Sequence, residues 1–143
     1  MPKFKFKYDS VKKVKDLLEK KVQKEIALID LEIERNITER KKLTTEIENN
    51  FKNRKSNKVS ELKAVENYKE ALEKKVETIQ KQIVLLNKHK EDKVTELIEK
   101  SKENKILQTL EENHFENFKY EENLKDESKI NEIATQKYIR DKS

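Results

Sequence analysis

The side chains that could support catalysis are few in this chain, and none stands in a recognisable catalytic arrangement. The two histidines, His89 and His114, lie far apart along the sequence. Adjacent carboxylates such as Glu111 and Glu112 are common, but a general acid needs a concave pocket to shift its pKa, and the sequence indicates none. Cysteine is absent, which removes thiol nucleophiles, disulfides and thiolate metal ligands. The sequence therefore predicts no enzyme, no metal site and no cofactor.

The composition favours helices over other regular structure. Of the 143 residues, 44% are charged and 33% are apolar, glycine is absent, and the single proline is Pro2. Tight βα turns, glycine-rich phosphate loops and glycine hairpins cannot form without glycine, which argues against an α/β fold. Two explanations of this composition remain, namely a helical coiled coil and a disordered chain.

Apolar residues recur at helical intervals from Val11 onward. They stand three or four positions apart, with a mean step of 3.64 residues, and Arg40 is the one break in this first stripe. The stripe consists of Val11, Val14, Leu18, Val22, Ile26, Ile29, Ile33, Ile37, Arg40, Leu43, Ile47 and Phe51. A disordered chain would not keep this period over 40 residues, so the stripe predicts a helix capped by Asp9 or Ser10.

A second stripe predicts a second helix. It is broken only by Lys90 and consists of Val59, Leu62, Val65, Tyr68, Leu72, Val76, Ile79, Ile83, Leu86, Lys90, Val94 and Leu97. Each stripe is one side chain wide, which is typical of a coiled coil. The segment between them, NNFKNRKSNKVS, contains four asparagines and two serines, which favour a turn with Ser56 or Ser60 as the cap of the second helix.

The sequence thus predicts an all-α fold in which two long helices form an antiparallel coiled-coil hairpin and the second helix is longer. We expect a single coiled-coil domain over residues 1–143, with a helix at about 9–50, a turn at about 51–58 and a helix at about 58–138. One unbroken helix is the alternative, because no glycine or proline forces a stop. A bend near residue 55 would place residue i opposite residue 110 − i, for example Val22 opposite Leu86, and would leave the second helix uncovered beyond about residue 100.

Charge is concentrated at the amino-terminal end of the chain. The net charge is +5 overall, but residues 1–24 alone carry +6. In this segment Phe4, Phe6 and Tyr8 alternate with lysines, and two uses of that pattern stay open. The segment could bind an anionic surface, or its aromatic rings could close the open end of the hairpin, which we favour. No apolar run approaches the length of about 18 residues that a membrane span requires.

Three segments, taken in order, resemble one protein family. They are FKFKYDSVKKVKDLLEKKVQKEIAL near the start, VENYKEALEKKVETIQKQI after the predicted turn, and EENLKDESKINEIATQKYIR near the end. An aromatic-basic opening before a basic helix, a tyrosine ahead of the second stripe, and a closing run of mixed charge resemble the FliJ family. That family comprises the small coiled-coil component of the bacterial flagellar type III export apparatus.

The resemblance implies a non-enzymatic stalk or adaptor, similar in architecture to the stalk subunit of rotary ATPases. It implies docking to the export ATPase ring and to the membrane-embedded export gate, handling of export chaperones, and a role in flagellum assembly and motility. The expected location is the cytoplasm, peripheral to the cytoplasmic face of the inner membrane. The alternatives are a general coiled-coil scaffold or dimeric spacer, and a basic helix that binds nucleic acid or anionic membrane. We expect no nucleic-acid partner.

The resemblance also suggests two groups of partner-binding residues. The family's gate-contacting surface lies near the hairpin tip, and the matching positions, with Phe51 added as an aromatic anchor, are Phe51, Tyr68, Ala71, Lys75, Thr78 and Gln82. The ATPase ring is expected to meet the open end of the hairpin, where basic and uncovered apolar residues occur together: Lys5, Lys12, Lys13, Leu107, Leu110 and Phe118.

Overall fold

Two α-helices make up almost all of the protein. The computed structural model describes residues 2–52 and 58–142. Helix α1 spans Asp9–Lys52 and helix α2 spans Val59–Lys142, with 44 and 84 residues. Within these ranges 94% of the residues are helical and none lies in a strand, and the two helices form a hairpin with the longer helix second, which confirms the predicted all-α fold. Most of the predicted turn falls on residues 53–57, which lie outside the described residues.

In each helix, the first hydrogen bond is accepted by the backbone carbonyl of the residue just before the helix. The Lys12 amide donates to the Tyr8 carbonyl at 2.9 Å, and the Leu62 amide donates to the Lys58 carbonyl at 3.0 Å. Tyr8 and Lys58 therefore hold the cap positions. Asp9 is the first helical residue and not the expected cap, and its carboxylate favours the positive end of the helix dipole.

The chain divides into two compact units, each containing segments of both helices. Unit 1 comprises Met1–Leu18 and Glu99–Ser143, and unit 2 comprises Glu19–Ile98. The organisation as a single domain stays a prediction.

In unit 2, the two helices pack along a strict seven-residue repeat. The inner positions are all buried or half-buried; on α1 they are Glu19, Val22, Ile26, Ile29, Ile33, Asn36, Arg40, Leu43, Ile47 and Asn50, and on α2 they are Leu62, Val65, Lys69, Leu72, Val76, Ile79, Ile83, Leu86, Lys90, Lys93 and Leu97. Steps of three and four alternate, which is the heptad spacing of a coiled coil. Val22 and Leu72 are the most deeply buried residues, each 3% exposed.

The expected register of the hairpin is wrong by about two helical turns. Glu25 binds Lys93 and Asp30 binds Lys90, each at 2.6 Å, whereas the expected register places residues 85 and 80 opposite these carboxylates. Residues 85 and 80 are a leucine and a glutamine, and neither can neutralise a carboxylate. The observed register pairs each acid with a lysine, and Val22 is therefore not opposite Leu86.

The Glu25–Lys93 ion pair makes the stability of unit 2 depend on pH. The ammonium of Lys93 donates to Glu25 and lowers the carboxyl pKa from its ordinary 4.5. Because the folded-state pKa is the lower one, this stabilisation is complete above pH 4.5 and is lost as the pH falls through the folded value. We expect the melting temperature of Glu25→Gln to fall less steeply than that of the wild type between pH 5 and pH 3. The difference in slope should correspond to the uptake of at most one proton fewer on unfolding.

Circular dichroism melts at half-unit pH steps measure this slope. The matched control is Glu70→Gln, since Glu70 holds its lysine within α2 at the longer distance of 3.9 Å. A Glu25→Gln profile that parallels the wild-type profile would show that this pair does not contribute to acid sensitivity.

In unit 1, α1 turns a different side toward α2 than the sequence predicts. Val11, Val14 and Leu18 were expected in the stripe but are 44%, 56% and 42% exposed. Lys12 and Lys15 take the inner positions and bind Glu111 and Glu103 across the hairpin. The apolar stripe advances at 3.64 residues per turn, whereas the inner positions advance at 3.5, so the two separate over successive turns.

The amino-terminal segment closes this end of the helix pair with aromatic rings. The Phe4 ring lies 5.3 Å from that of Phe115 and 5.5 Å from that of Phe118, and the Phe6 ring lies 5.6 Å from that of His114. Phe6 is buried, with 8% of its surface exposed. These contacts confirm that the aromatic residues shield the end of the helix pair.

The uncovered part of α2 is shorter than expected. Residues 123–142 are exposed throughout, whereas the inner positions up to Phe118 are half-buried. The expected start near residue 100 was wrong, because the observed register and the aromatic contacts extend cover along α2 by about five turns.

Candidate partner-binding surfaces

Five of the six residues predicted at the tip form a continuous exposed strip on α2 in unit 2. Tyr68, Ala71, Lys75, Thr78 and Gln82 follow one another at intervals of three and four residues and are all exposed. They lie beside the inner positions and not on them, since Leu72, Val76, Ile79 and Ile83 face α1. We call these five residues the tip strip. Lys75 is its only formally charged member.

Two contacts with α1 fix the first residue of the tip strip and the aromatic ring predicted beside it. The Tyr68 hydroxyl donates to a carboxylate oxygen of Glu46, and this raises the pKa of Tyr68 above its ordinary value. The ammonium of Lys69 lies 5.1 Å from the centre of the Phe51 ring. Lys69 directly follows Tyr68 in the sequence, so this contact brings the Phe51 ring close to the start of the tip strip. The Phe51 side chain is nevertheless 57% exposed. The structure thus places Phe51 at the end of the strip that begins with Tyr68, whereas Gln82 lies about 20 Å farther along α2.

The lysines predicted for ring docking differ in their surroundings. Lys5 is exposed in the extended segment before α1. Lys13 is exposed and lies 3.1 Å from the Asp9 carboxylate, one helical turn earlier. Lys12 donates to Glu111 of α2, a bond that raises the pKa of Lys12. Lys5 and Lys13 therefore point to solvent, whereas Lys12 helps to hold the helix pair together.

The apolar residues predicted for ring docking are half-buried in unit 1. Leu107 and Phe118 occupy inner positions of α2, and Phe118 packs against Phe4. Leu110 lies between them along the helix and contributes to a shallow groove on α2. These three side chains together with Lys5, Lys12 and Lys13 are called the open-end cluster. Phe118 is covered by Phe4, and Leu107 and Leu110 are half-buried, so the three apolar residues do not form a bare row.

The described residues contain no group of three or more His, Asp or Glu side chains that could hold a metal ion. His114 packs against Phe6, and Glu111 is engaged by Lys12. The geometry of these residues is that of a packed helix pair.

Sequence reasoning missed the charged inner positions of the hairpin. Lys90 was taken as a break in the stripe, and Lys93 was not considered, yet both form ion pairs at 2.6 Å with α1. A signal was present in the sequence, because a strict count of seven residues from Ile83 and from Leu86 leads to Lys90 and to Lys93. Counting only apolar residues hides this repeat.

The fold defines a class of protein: a two-helix antiparallel coiled coil. The family model described as "Flagellar FliJ protein" matches residues 4–143, and the chain belongs to the FliJ family. Members of this family are non-enzymatic components of the flagellar export apparatus. Searches of curated proteins and of solved structures each found no match. Within the described residues, neither helix has an apolar stretch long enough to cross a membrane.

Proposed function

We propose that the protein is an adaptor of the flagellar export apparatus with two docking surfaces. The open-end cluster in unit 1 binds the export ATPase ring, and the tip strip with Phe51 in unit 2 binds the cytoplasmic part of the export gate. Binding to the gate makes its association with the inner membrane peripheral, and the protein otherwise resides in the cytoplasm. Empty export chaperones are further partners in this proposal.

The observation that carries the proposal is the tip strip in a chain that is 44% charged. Ala71, Thr78 and Gln82 are exposed on the same side of α2 and carry no charge. A solvated coiled coil has little need for such a strip, whereas the centres of protein interfaces are depleted in charge. Phe51 and Tyr68 stand at one end of it, and central aromatic residues typically carry about 2 kcal/mol or more of binding energy.

Binding measurements with two purified partners test the proposal. The partners are the export ATPase hexamer and the cytoplasmic domain of the export gate, both from the same bacterium, with affinities measured by interferometry. We expect Ala71→Glu to weaken gate binding about tenfold or more, because it places a carboxylate in the strip beside Tyr68, and to leave ATPase binding unchanged. Ala27→Glu, at an exposed position of α1 in unit 2, is the matched control.

The open-end cluster is tested by the reverse pattern. Replacement of Leu107, Leu110 and Phe118 by serine should weaken ATPase binding about tenfold or more and leave gate binding intact. Because two of these residues are inner residues, helicity is checked by circular dichroism, and Lys5→Glu with Lys13→Glu gives a second variant that removes no packing. Unchanged ATPase affinity in both variants, or equal loss of both partners in Ala71→Glu, would reject the two-surface assignment.

Two substitutions of Tyr68 distinguish a role in gate binding from a role in the stability of the hairpin. Tyr68→Phe keeps the ring and removes the bond to Glu46, whereas Tyr68→Ala removes both. If the ring is an anchor for the gate, Tyr68→Phe binds the gate nearly as well as the wild type, and Tyr68→Ala does not. A large drop in melting temperature for both variants without loss of gate affinity would make Tyr68 a structural residue.

A further inference from the structure

Unit 1 carries an exposed apolar face that the helix pair does not use. Val11, Val14 and Leu18 of α1 point away from the inner positions, and Ile106 of α2 is 67% exposed. None of these four residues belongs to the tip strip or to the open-end cluster. We call them the lateral face.

An ion pair between the helices places the two halves of the lateral face at the same level. The ammonium of Lys15 binds the carboxylate of Glu103 at 2.7 Å and so joins α1 to α2 at this level. On a helix, residues three and four apart share a face. Val11 and Leu18 are therefore neighbours of Lys15, and Ile106 is a neighbour of Glu103. Apolar residues of both helices thus flank the same ion pair.

The α2 side of the lateral face continues into a shallow groove edged by lysines. Its lining residues are Lys102, Lys105, Ile106, Thr109, Leu110 and Asn113. Glu103 is already neutralised by Lys15. Within residues 2–52 and 58–142, no ion pair joins Lys102 or Lys105 to a carboxylate. The groove therefore offers an apolar floor and cationic edges.

We propose that the lateral face binds an amphipathic helix of another protein whose apolar row is flanked by carboxylates. The apolar ridge of a partner helix can pack into the shallow groove on α2, as the ridges of one helix pack into the grooves of another. Lys102 and Lys105 select the acidic flanks, because charge complementarity sets the specificity of such contacts. From Val11 to Leu18 the face extends about 10 Å, which matches about two turns of a partner helix. A contact this small is transient.

The test uses a synthetic peptide and the full chain. The probe is a fluorescent helical peptide of about 18 residues, with leucines at heptad spacing and glutamates beside them, long enough to hold its helix. A second peptide carries lysine in place of each glutamate. We expect the acidic peptide alone to raise fluorescence anisotropy on binding. Val14→Glu with Ile106→Glu should weaken this binding about tenfold or more.

Two further variants make the result specific. Val84→Glu with Leu85→Glu alters two exposed apolar residues of α2 in unit 2 and should leave acidic-peptide affinity unchanged. Lys102→Glu with Lys105→Glu keeps the apolar floor and should reverse the preference from the acidic to the basic peptide. Because these positions are exposed or edge the groove, circular dichroism should show wild-type helicity for every variant.

Four results would overturn the proposal. They are failure of the acidic peptide to bind at millimolar concentration, equal binding of both peptides, unchanged affinity in the lateral-face variant, and self-association. For the last, sedimentation of the wild type that reveals a concentration-dependent dimer, absent in Val14→Glu with Ile106→Glu, would assign the face to a second copy of this chain. The groove shares Leu110 with the open-end cluster. The inference can nevertheless fail separately from the proposed function, because no variant used here alters a residue of that cluster or of the tip strip, and peptide binding is measured without the ATPase.

Discussion

Replacement of Leu72 by alanine is expected to lower the free energy of unfolding by about 2–5 kcal/mol. Leu72 lies at an inner position of α2 and is 3% exposed, so truncation removes buried apolar surface and leaves a cavity between the helices. The loss is large for a two-helix hairpin, because each inner layer contains few side chains and ordering entropy offsets most of their gain. Urea titration followed by helicity at 222 nm measures it.

Leu85→Ala is the matched control, since it makes the same chemical change on the same helix. Leu85 is 67% exposed, and substitutions at such sites usually change stability by less than about 0.5 kcal/mol. Equal destabilisation by the two substitutions would mean that α2 turns a different side toward α1 than the heptad positions indicate.

Phe6→Ala is expected to destabilise unit 1 by about 3 kcal/mol, at the lower end of the range for buried phenylalanine. Phe6 is 8% exposed, and its ring lies 5.7 Å from that of Tyr8 and 5.6 Å from that of His114. Its removal should uncover α2 around His114 and let the start of α1 fray. Hydrogen exchange read by mass spectrometry should show faster exchange in peptides of unit 1 and unchanged exchange around Leu72.

Lys5→Ala provides the control in the same extended segment. Lys5 is exposed, so its truncation removes charge without removing packing and should leave exchange near the wild-type rate. Wild-type exchange in Phe6→Ala would show that the aromatic contacts add nothing to the stability of unit 1.

The helices themselves could be predicted from the sequence because their apolar spacing is regular. On α2, Leu72, Ile79 and Ile83 were assigned to the inner side by period alone, and they are buried or half-buried. The register could not be predicted in this way, because one apolar layer resembles the next. It depends on which carboxylate meets which lysine, as at Asp30 and Lys90, and such pairs are identified only when both helices are considered together.

The start of α1 was assigned to the wrong side for a related reason. Lys12 and Lys15 were treated as solvent-facing, whereas their hydrocarbon stems line the inner side and their ammonium groups reach Glu111 and Glu103 at its edge. A lysine is acceptable in an inner layer when an acid is within reach. Val11 was consequently placed inside, and the lateral face went unnoticed.

The candidate binding residues were predicted with uneven success in their placement. The tip strip could be located because resemblance and helical spacing agree there, and Tyr68 to Gln82 lie on one exposed side of α2. The open-end cluster was predicted on the assumption that the apolar row of α2 beyond residue 100 is uncovered. The sequence does not show that Phe4 packs against Phe118 and covers it. Contacts between residues more than a hundred positions apart leave no periodic trace in either segment.

The charged inner positions also bear on self-recognition. If two copies paired α1 with α1 in parallel, Lys12, Lys15 and Arg40 would each meet the same residue of the other copy. Like charges that face each other across a coiled coil oppose association, and the lysines would forfeit the intrachain partners Glu111 and Glu103. The hairpin is thus favoured over a parallel dimer of first helices. The same lysines that bind α2 within the chain therefore oppose this kind of self-association.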